Sequence, residues 1–230
     1  ATKISFINSF AEVTETIGGD ITVLADALGH DARIGRKFLN AGVGFGGGCL
    51  PKDIRALQAR TSELGLTHTM GFLAEVDEIN LRRRERVVRL AQTMLNDKLV
   101  GARIAVLGVT FKPDSDDVRD SPALDIAVRL FNAGADVLVY DPKGNENAAE
   151  RFPRLQYAND LPEAVKDADL VLLLTEWAEF RALVPADLEE LVATRRIIDG
   201  RNVLDRAPWR DAGWEIVRMG QHYAPLDGEL

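Results

Sequence analysis

The chain has 230 residues and a formal net charge of −8, from 28 Lys and Arg residues against 36 Asp and Glu residues. Its 46% hydrophobic and 28% charged content is typical of a globular protein of one large or two modest domains, which excludes fibrous, collagen-like and disordered classes. The longest apolar runs fall far short of the ~20 residues that cross a membrane, so we expect no membrane-spanning segment. A chain this acidic lacks the basic surface that binds a nucleic-acid backbone, so we expect no nucleic-acid partner.

The first hundred residues are predicted to be helical, because their apolar residues recur at spacings of three and four while Gly and Pro stand between the segments. The longest pattern runs for roughly thirty residues through Met70 and Met94, which would form a helix of about 45 Å. A loop of glycines, Gly42 to Gly48, interrupts the helices. The other predicted helices are one ending near Ile17, one over Ile21 to Leu28 with Asp20 as its cap, a short one opening at Asp31, and one from Pro51 to about Leu64.

From Arg103 onward, strand and helix patterns alternate, which indicates an open parallel sheet whose ligands bind beyond the carboxyl ends of the strands. The predicted strands are Arg103 to Val109, Asp136 to Asp141, Leu170 to Thr175, Arg196 to Asp199 and Trp214 to Met219, with helices over Ser121 to Ala133 and Pro162 to Ala168. The fold class is therefore α/β, with a helical domain over residues 1–100, a Rossmann-like open parallel sheet over 101–220 and a loose tail over 221–230.

The single cysteine, Cys49, cannot form an internal disulfide, and no secretory leader precedes the first helix, so we expect a cytoplasmic protein. The helical pattern is already running at Ala1, without a Met or a capping residue before it. We interpret the sequence as a fragment of a longer protein.

The strongest local signal is the glycine-rich run that leads from Asn40 to Cys49 and Asp53. Five glycines in seven residues remove side chains ahead of a thiol at the start of a helix, where unpaired N–H groups favour the thiolate. We interpret Cys49 as a nucleophile, with Asp53 on the same helix face assisting proton transfer. The alternatives are a small buried hydrophobe for Cys49 and a first-turn partner of the helix dipole for Asp53.

The first strand of the sheet ends at Gly108-Val-Thr-Phe111-Lys112, which differs from the G-x-G-x-x-G loop of dinucleotide sites. We therefore do not expect this sheet to hold the pyrophosphate of NAD. Asp141, at the end of the next strand, is either a turn residue or a carboxylate that faces a ligand. The three histidines lie far apart, without Cys or carboxylate at ligand spacing, so no metal site is expected.

Three motifs carry a resemblance to a known family. They are residues 31–53, which end in Gly46-Gly-Gly-Cys49-Leu-Pro-Lys52-Asp53, then Gly108-Val-Thr-Phe111-Lys112-Pro-Asp, and Asp199-Gly-Arg201-Asn. In this order they resemble the UDP-glucose/GDP-mannose dehydrogenase family, and within it the UDP-glucose 6-dehydrogenases. The resemblance implies a helical dimerisation domain with a long central helix, followed by a Rossmann-like UDP-sugar-binding domain. It also implies an NAD-dependent, four-electron oxidation of UDP-glucose to UDP-glucuronate.

The resemblance implies a role for each matching residue. Cys49 would capture the aldehyde as a thiohemiacetal that becomes a thioester, and Asp53 would support proton transfer. Arg33 would reach the substrate of a neighbouring subunit, which makes a homodimer through the long helix part of the site. Substrate contacts are implied for Phe38, Leu39, Asn40, Ala41, Gly42, Val43, Gly44, Phe45, Gly46, Phe111, Lys112 and Arg201, and cofactor contacts for Lys52 and Arg119. The residues alone leave simpler alternatives open. Arg33 and Arg119 could form surface ion pairs, and Lys52 could be a solvated lysine without a ligand.

The family begins with a complete dinucleotide-binding domain that this sequence does not show. Because hydride transfer needs an acceptor held about 3–3.5 Å from C6 of the sugar, we expect the chain alone to be inactive. Related GDP-mannose and UDP-N-acetylmannosamine dehydrogenases stay open as alternatives, as does a non-catalytic module for sugar-nucleotide binding or dimerisation.

Overall fold

The computed structural model describes residues 1–223, which form a helical part and a parallel sheet. The helical part contains α1 (Thr2–Ile17), α2 (Ile21–Gly29), α3 (Leu50–Glu63) and α4 (Phe72–Met94). The strands are β1 (Arg103–Leu107), β2 (Asp136–Tyr140), β3 (Gln156–Tyr157), β4 (Leu170–Leu173), β5 (Arg196–Asp199) and β6 (Glu215–Arg218). Between them lie α5 (Pro122–Asn132), α6 (Asn145–Arg151), α7 (Leu161–Val165), α8 (Ala178–Arg181), a 3-10 turn (Pro185–Asp187) and α9 (Arg206–Asp211).

The sheet has the strand order β3-β2-β1-β4-β5-β6, and all its strand pairs are parallel. The order reverses between β1 and β4, which is the kind of switch point at which doubly wound sheets bind ligands beyond their strand ends. The predicted class, helices followed by a Rossmann-like open parallel sheet, is confirmed. Strand β3 has only two residues, too few for a sequence pattern, and has no counterpart among the predicted strands.

The long helix and one short helix differ from their predictions. Helix α4 has 23 residues, about 35 Å, because the segment before Phe72 forms turns, with the N–H of Thr69 donating to the carbonyl of Leu66. The helix predicted to open at Asp31 is a single turn. The carboxylate of Asp31 accepts the N–H of Arg33 at 2.9 Å, and Gly35 ends the turn with a φ of 69°.

The predicted strands at β1, β2, β4 and β6 end sooner than their apolar runs, because the loops after them leave the sheet to make other hydrogen bonds. After β1, for example, the N–H groups of Val109 and Thr110 donate to the side chain of Asp141 instead of to a neighbouring strand. The predicted helix Pro162 to Ala168 ends at Val165 and is followed by Asp167 at a φ of 56°. Helices α6, α8 and α9, with seven residues or fewer, have no counterpart among the predicted helices.

The second half of α4 packs against the sheet instead of standing apart as a linker. Val87, Leu90 and Met94 of α4 are buried in one hydrophobic cluster with Ile104 of β1 and Leu124 of α5. Each such side chain contributes roughly 1.5–3 kcal/mol to stability on full burial. The helical part and the sheet therefore share a core, which fixes the helices relative to the strand ends.

The described end of the predicted tail contacts the body of the protein. Gln221 forms an isolated antiparallel bridge with Asp20, the Nδ1 atom of His222 lies 2.9 Å from the carbonyl oxygen of Glu15, and the Tyr223 hydroxyl donates to Glu215. The remainder of that predicted tail, residues 224–230, lies outside the described residues. Within residues 1–223, no helix has the length and apolar character needed to cross a bilayer.

Candidate active site

A cavity of about 510 Å³ opens where the glycine-rich loop faces the carboxyl ends of β1, β4 and β5. This cavity lies at the switch point of the sheet, and we call it the strand-end cavity. Most of the residues predicted to contact substrate line it, namely Phe38, Asn40, Gly42, Gly44, Phe45, Gly46, Phe111, Lys112 and Arg201. Leu39, Ala41 and Val43 alternate with these loop residues and are buried in the hydrophobic core. Leu39 and Ala41 also line a smaller adjoining cavity of about 250 Å³, which shares Asn40 and Arg201 with the first.

The glycine-rich loop is held from the helical part by two buried asparagines that sequence reasoning missed. The side-chain oxygen of Asn8 accepts the N–H of Gly42 at 2.9 Å, and Asn80 accepts the N–H of Phe45 at 2.7 Å. The Asn80 amide also donates to the carbonyl of Phe45 at 2.9 Å. Arg83, which is fully buried, donates to the carbonyl of Gly42 at 3.2 Å. The N–H groups of Gly42 and Phe45 are therefore engaged within the protein.

The glycines of the loop allow other parts of the protein to approach its backbone. Gly44 has a φ of 103°, and a Cβ there would lie 2.3 Å from the side-chain oxygen of Asn80. At Gly47 a Cβ would lie 2.8 Å from the ring of Phe111. The glycine pattern is thus explained by close packing between the loop, α4 and the segment after β1.

Cys49 is exposed and stands as the N-cap residue of α3. The alternative interpretation, a small buried hydrophobe, is therefore wrong. The next residue, Leu50, lines the strand-end cavity, which puts the start of α3 at the cavity wall. Asp53 lies one turn further along α3 with its carboxylate 3.3 Å from the Nζ atom of Lys52, and both side chains are largely exposed.

Asp141 is buried beneath the segment that carries Phe111 and Lys112. Its Oδ2 atom accepts the N–H groups of Val109 at 2.7 Å and Thr110 at 3.0 Å, and its Oδ1 atom accepts the N–H of Gly144 at 2.7 Å. Between the two sequence interpretations of Asp141, the structure favours the one that holds a turn. The Lys112 ammonium lies 5.5 Å from the centre of the Phe111 ring, a cation–π contact at the cavity wall.

Arg201 is fixed at the opposite wall by several contacts. Its Nε atom donates to the carbonyl of Leu174 at 2.7 Å and its Nη1 atom donates to the carbonyl of Gly44 at 3.3 Å. The Nε atom also lies 3.1 Å from a carboxylate oxygen of Glu176, a cavity residue that sequence reasoning missed. Among the described residues, the buried Nη2 atom has no hydrogen-bond acceptor. The only sequence signal for Glu176 is a charge two residues after the apolar run that contains β4.

The turn that presents Arg201 is organised by Asp199, the last residue of β5. The carboxylate of Asp199 is fully buried and accepts the N–H groups of Arg201, Val203 and Leu204 at 2.7–3.0 Å. Burial raises the pKa of Asp199, and these hydrogen bonds oppose the rise. The Asp199-Gly-Arg201 motif is thus a buried anchor followed by a cavity-lining cation.

Two predicted site arginines lie away from the strand-end cavity. Arg33 is 89% exposed and forms an ion pair of 2.6 Å with Asp31, whose pKa this contact lowers. Arg119 pairs with Asp117 at 2.8 Å and lines a separate open cavity of about 670 Å³. A Cβ at Gly48, beside Cys49, would lie 2.7 Å from the guanidinium carbon of Arg119, so Arg119 covers the end of the glycine loop.

The charge of the strand-end cavity favours anions. Three cations, Lys37, Lys112 and Arg201, line it against one carboxylate, Glu176. Guanidinium and ammonium groups form strong hydrogen bonds with phosphate oxygens. In the part of the chain that the structure describes, no group of three or more His, Cys, Asp or Glu residues is placed to hold a metal ion.

Two family models match this chain. The central domain of the UDP-glucose/GDP-mannose dehydrogenase family matches residues 1–82, and the UDP binding domain of the same family matches residues 105–206. The chain is 41% identical over 224 residues to the UDP-glucose 6-dehydrogenase of Rickettsia prowazekii, which covers 96% of this chain and 51% of the relative. The enzyme of that name from Rhizobium meliloti is 38% identical over 226 residues, 98% of this chain and 50% of the relative.

Solved structures agree with these matches. A UDP-glucose dehydrogenase from the archaeon Pyrobaculum islandicum superposes with a TM-score of 0.82 and 31% identity, over 96% of this chain and 48% of that one. A UDP-D-ManNAc dehydrogenase from Pyrococcus horikoshii superposes with a TM-score of 0.77 and 26% identity, over 96% of this chain and 49% of that one. The chain spans about half the length of these relatives. From its motifs, its fold and both domain matches, the chain belongs to the UDP-glucose/GDP-mannose dehydrogenase family.

Proposed function

We propose that this chain forms the substrate-binding and thiol-bearing part of an enzyme that oxidises UDP-glucose to UDP-glucuronate with NAD as the hydride acceptor. The observation that carries this proposal is the excess of positive charge in the strand-end cavity, where Lys37, Lys112 and Arg201 outnumber Glu176. The diphosphate of a UDP-sugar carries about two negative charges, which this excess would balance. Relatives named UDP-glucose 6-dehydrogenase favour UDP-glucose over other sugar nucleotides as the substrate.

In this proposal the substrate lies between the two walls of the strand-end cavity. The loop from Phe38 to Gly46 encloses the nucleotide and the sugar, while Phe111, Lys112 and Arg201 bind from the sheet side. The Nη2 atom of Arg201 supports this assignment, because it is a buried donor that lacks an acceptor among the described residues. Leu39, Ala41 and Val43 would act by packing, since their side chains are buried.

Cys49 is the proposed nucleophile. Loss of a hydride and a proton from the C6 alcohol gives an aldehyde, and the thiol adds to its carbonyl carbon to form a thiohemiacetal. Loss of a second hydride and a proton gives a thioester, which water cleaves to the carboxylate and the free thiol. The exposure of Cys49 and the place of α3 at the cavity wall support this role. Asp53, one helical turn away, would exchange protons with the water.

The sheet domain does not fit NAD. Two NAD molecules, bound one after the other, would each accept one hydride. The N–H groups that follow β1 donate to Asp141, and the G-x-G-x-x-G loop of dinucleotide sites is missing there. We propose cofactor contacts for Lys52 and Arg119 instead. Both side chains are exposed, Lys52 lies three residues after Cys49 in the chain, and Arg119 lies against Gly48 beside it.

A homodimer through the long helix α4 and its neighbour α1 is part of the proposal. Phe6, Phe10, Val13 and Ile17 form an exposed apolar stripe along α1, which packs beside α4, and the Phe6 and Phe10 rings lie 4.9 Å apart. A second copy that covers this stripe would pair the helical domains, residues 1–100, and leave the sheet domains, residues 101–220, outside. Arg33, exposed on the helical domain, would then reach the partner's substrate. A cytoplasmic location follows from the chemistry, because the Cys49 thiol must stay reduced.

Calorimetry on the 230-residue chain tests the proposed substrate. UDP-glucose is expected to bind more tightly than GDP-mannose or UDP-N-acetylmannosamine, and Lys112→Gln is expected to weaken binding while Lys98→Gln, beyond the end of α4, does not. Preference for one of the other two sugars would assign the protein to that alternative activity. If none of the three binds, the assignment of the strand-end cavity is wrong.

Alkylation tests the role of Cys49. Iodoacetamide is expected to modify the thiol in the free protein and to react more slowly when UDP-glucose is bound, because the sugar would cover the sulfur. Cys49→Ser provides the blank. If UDP-glucose binds without slowing the reaction, the protein is better described as a non-catalytic binding module.

A further inference from the structure

Asp120 joins three parts of the protein that meet next to Cys49. It stands between β1 and α5, directly after Arg119. Its Oδ2 atom accepts a hydrogen bond from Nη1 of Arg55 on α3 at 3.1 Å, and its Oδ1 atom accepts one from Nη2 of Arg84 on α4 at 3.0 Å. One carboxylate therefore connects the sheet domain to α3, which Cys49 caps, and to α4, which holds the glycine-rich loop.

The main chain at Asp120 also contacts the glycine-rich loop. A Cβ at Gly46 would lie 2.3 Å from the carbonyl oxygen of Asp120, and the N–H of Gly47 donates to the carbonyl of Arg119 at 2.9 Å. Asp120 itself has a φ of 46°, a left-handed conformation that costs energy for a residue other than glycine. The side-chain and main-chain contacts together hold Asp120 in this conformation.

The two arginines differ in what else binds them. Arg84 is 5% exposed, and its other carboxylate partner is Asp125 at 3.4 Å. Arg55 donates two hydrogen bonds to the carboxylate of Asp77, at 2.9 and 3.1 Å, and this pairing is the main reason that the pKa of Arg55 is raised. Asp77 therefore stabilises Arg55 more than Asp120 does, but it lies on α4 and makes no link to the sheet domain. Asp77 therefore serves to stabilise Arg55 within the helical part, whereas Asp120 serves to position Arg55 relative to the sheet domain.

We propose that Asp120 is a positioning residue that fixes Cys49 relative to the strand-end cavity. Through Arg55 it sets the start of α3, and through its carbonyl and Arg84 it sets the loop that leads into Cys49. Loss of the carboxylate would free the start of α3 to move away from the sheet while the cavity walls, Phe111, Lys112 and Arg201, keep their own contacts. The inference rests on the proposed function, since it assumes that UDP-glucose binds in that cavity.

The test combines binding and thiol protection in the wild type and in Asp120→Asn. UDP-glucose affinity is measured by calorimetry, and the rate at which iodoacetamide modifies Cys49 is measured with and without saturating UDP-glucose. We expect the affinity of Asp120→Asn to stay within about threefold of the wild type, because the cavity walls are retained. We expect UDP-glucose to slow the modification of Cys49 about tenfold in the wild type and less than about twofold in the variant, because the bound sugar would no longer lie against the sulfur.

Asp77→Asn is the matched control, because it weakens the ion pair between Arg55 and α4 and leaves the hydrogen bond between Arg55 and Asp120 in place. In this variant, UDP-glucose is expected to protect Cys49 from iodoacetamide as it does in the wild type. Arg55→Gln removes the same link from the other side and is expected to lose protection, which keeps the test decisive if Asp120→Asn fails to fold. Equal protection in the wild type and in the folded variants of Asp120 or Arg55 would overturn the inference alone. An equal loss of Cys49 protection in Asp77→Asn would also overturn the inference, because a general loosening of α3 would then explain the effect. Failure of UDP-glucose to bind or to protect the wild type would overturn the proposed function itself.

Discussion

The side-chain amide of Asn80 forms two hydrogen bonds with the main chain of Phe45, one to its N–H group and one to its carbonyl. Asn80 is fully buried in the middle of α4, and Phe45 lies in the glycine-rich loop that lines the strand-end cavity. The Asn80 side chain thus pairs with Phe45 as the main chain of a neighbouring β-strand would, although the loop is not part of a sheet. The long helix therefore fixes the conformation of the loop as well as its position.

Asn80→Ala is expected to destabilise the chain by about 3 kcal/mol, because it leaves a buried N–H group and a buried carbonyl without partners. Chemical denaturation with urea measures this loss. Glu78→Ala, an exposed change on the same helix, is expected to stay within about 0.5 kcal/mol of the wild type. A loss below about 1 kcal/mol for Asn80→Ala would show that water replaces both hydrogen bonds and that the loop does not depend on α4.

Gly44→Ala is expected to weaken UDP-glucose binding by more than about tenfold and to destabilise the fold by more than the 1–2 kcal/mol that a left-handed residue costs. A Cβ at this position would overlap the side-chain oxygen of Asn80, so the loop would have to move. Gly65→Ala is the matched control, because Gly65 also has a positive φ but has open space around it. Calorimetry and urea denaturation on both variants measure the two effects, and equal losses in both would show that the overlap at Gly44 is relieved locally.

Much of the strand-end cavity could be predicted from sequence because its residues occur in short motifs. Phe111 and Lys112 come a few residues after the end of β1, and Arg201 comes two residues after the end of β5. The parallel topology therefore brings all three to one edge of the sheet. Glycines before Cys49 likewise indicated a close approach of the backbone. The lengths of α3 and of the strands followed from the spacing of apolar residues, to within one or two residues at most ends.

The residues that hold the cavity together could not be predicted in the same way. Asn8 and Asn80 stand on helix faces where a polar residue has no local explanation, and their partners are 34 and 35 residues away in the chain. In the sequence, Glu176 is marked only by its charge, which comes shortly after the apolar run of β4. The role of Asp120 depends on Arg55 and Arg84 from two other helices, so it becomes visible only once the helices are packed.

Stability at high pH is expected to depend on Tyr157, since burial raises its pKa from 10.0 to about 12. The unfolded chain loses this proton near pH 10 while the folded chain keeps it, so the stability contributed by the neutral phenol is present below pH 10 and is lost as the pH rises through the folded pKa. At about pH 8, Tyr157→Phe is expected to cost about 1 kcal/mol, from its hydrogen bond to the carbonyl of Phe152. Urea denaturation between pH 8 and 12 should show this difference shrink, and a constant difference would contradict the raised pKa.

Arg201→Lys is expected to weaken UDP-glucose binding by about 10- to 100-fold, although it keeps the charge of the strand-end cavity. The three donors of a lysine ammonium lie on one nitrogen, so they cannot occupy the separate positions from which Nε and Nη1 of Arg201 donate to the carbonyls of Leu174 and Gly44 while Nη2 is left for a phosphate. Calorimetry measures the effect, with Arg195→Lys, an exposed arginine ahead of β5, as the control that should change little. Raising the salt concentration should reduce wild-type affinity more than it changes the ratio between wild type and Arg201→Lys, because screening acts on charge and the substitution acts on geometry. An affinity equal to that of the wild type would mean that Arg201 contributes charge alone, and the guanidinium contacts would then serve only to hold the loop against the sheet.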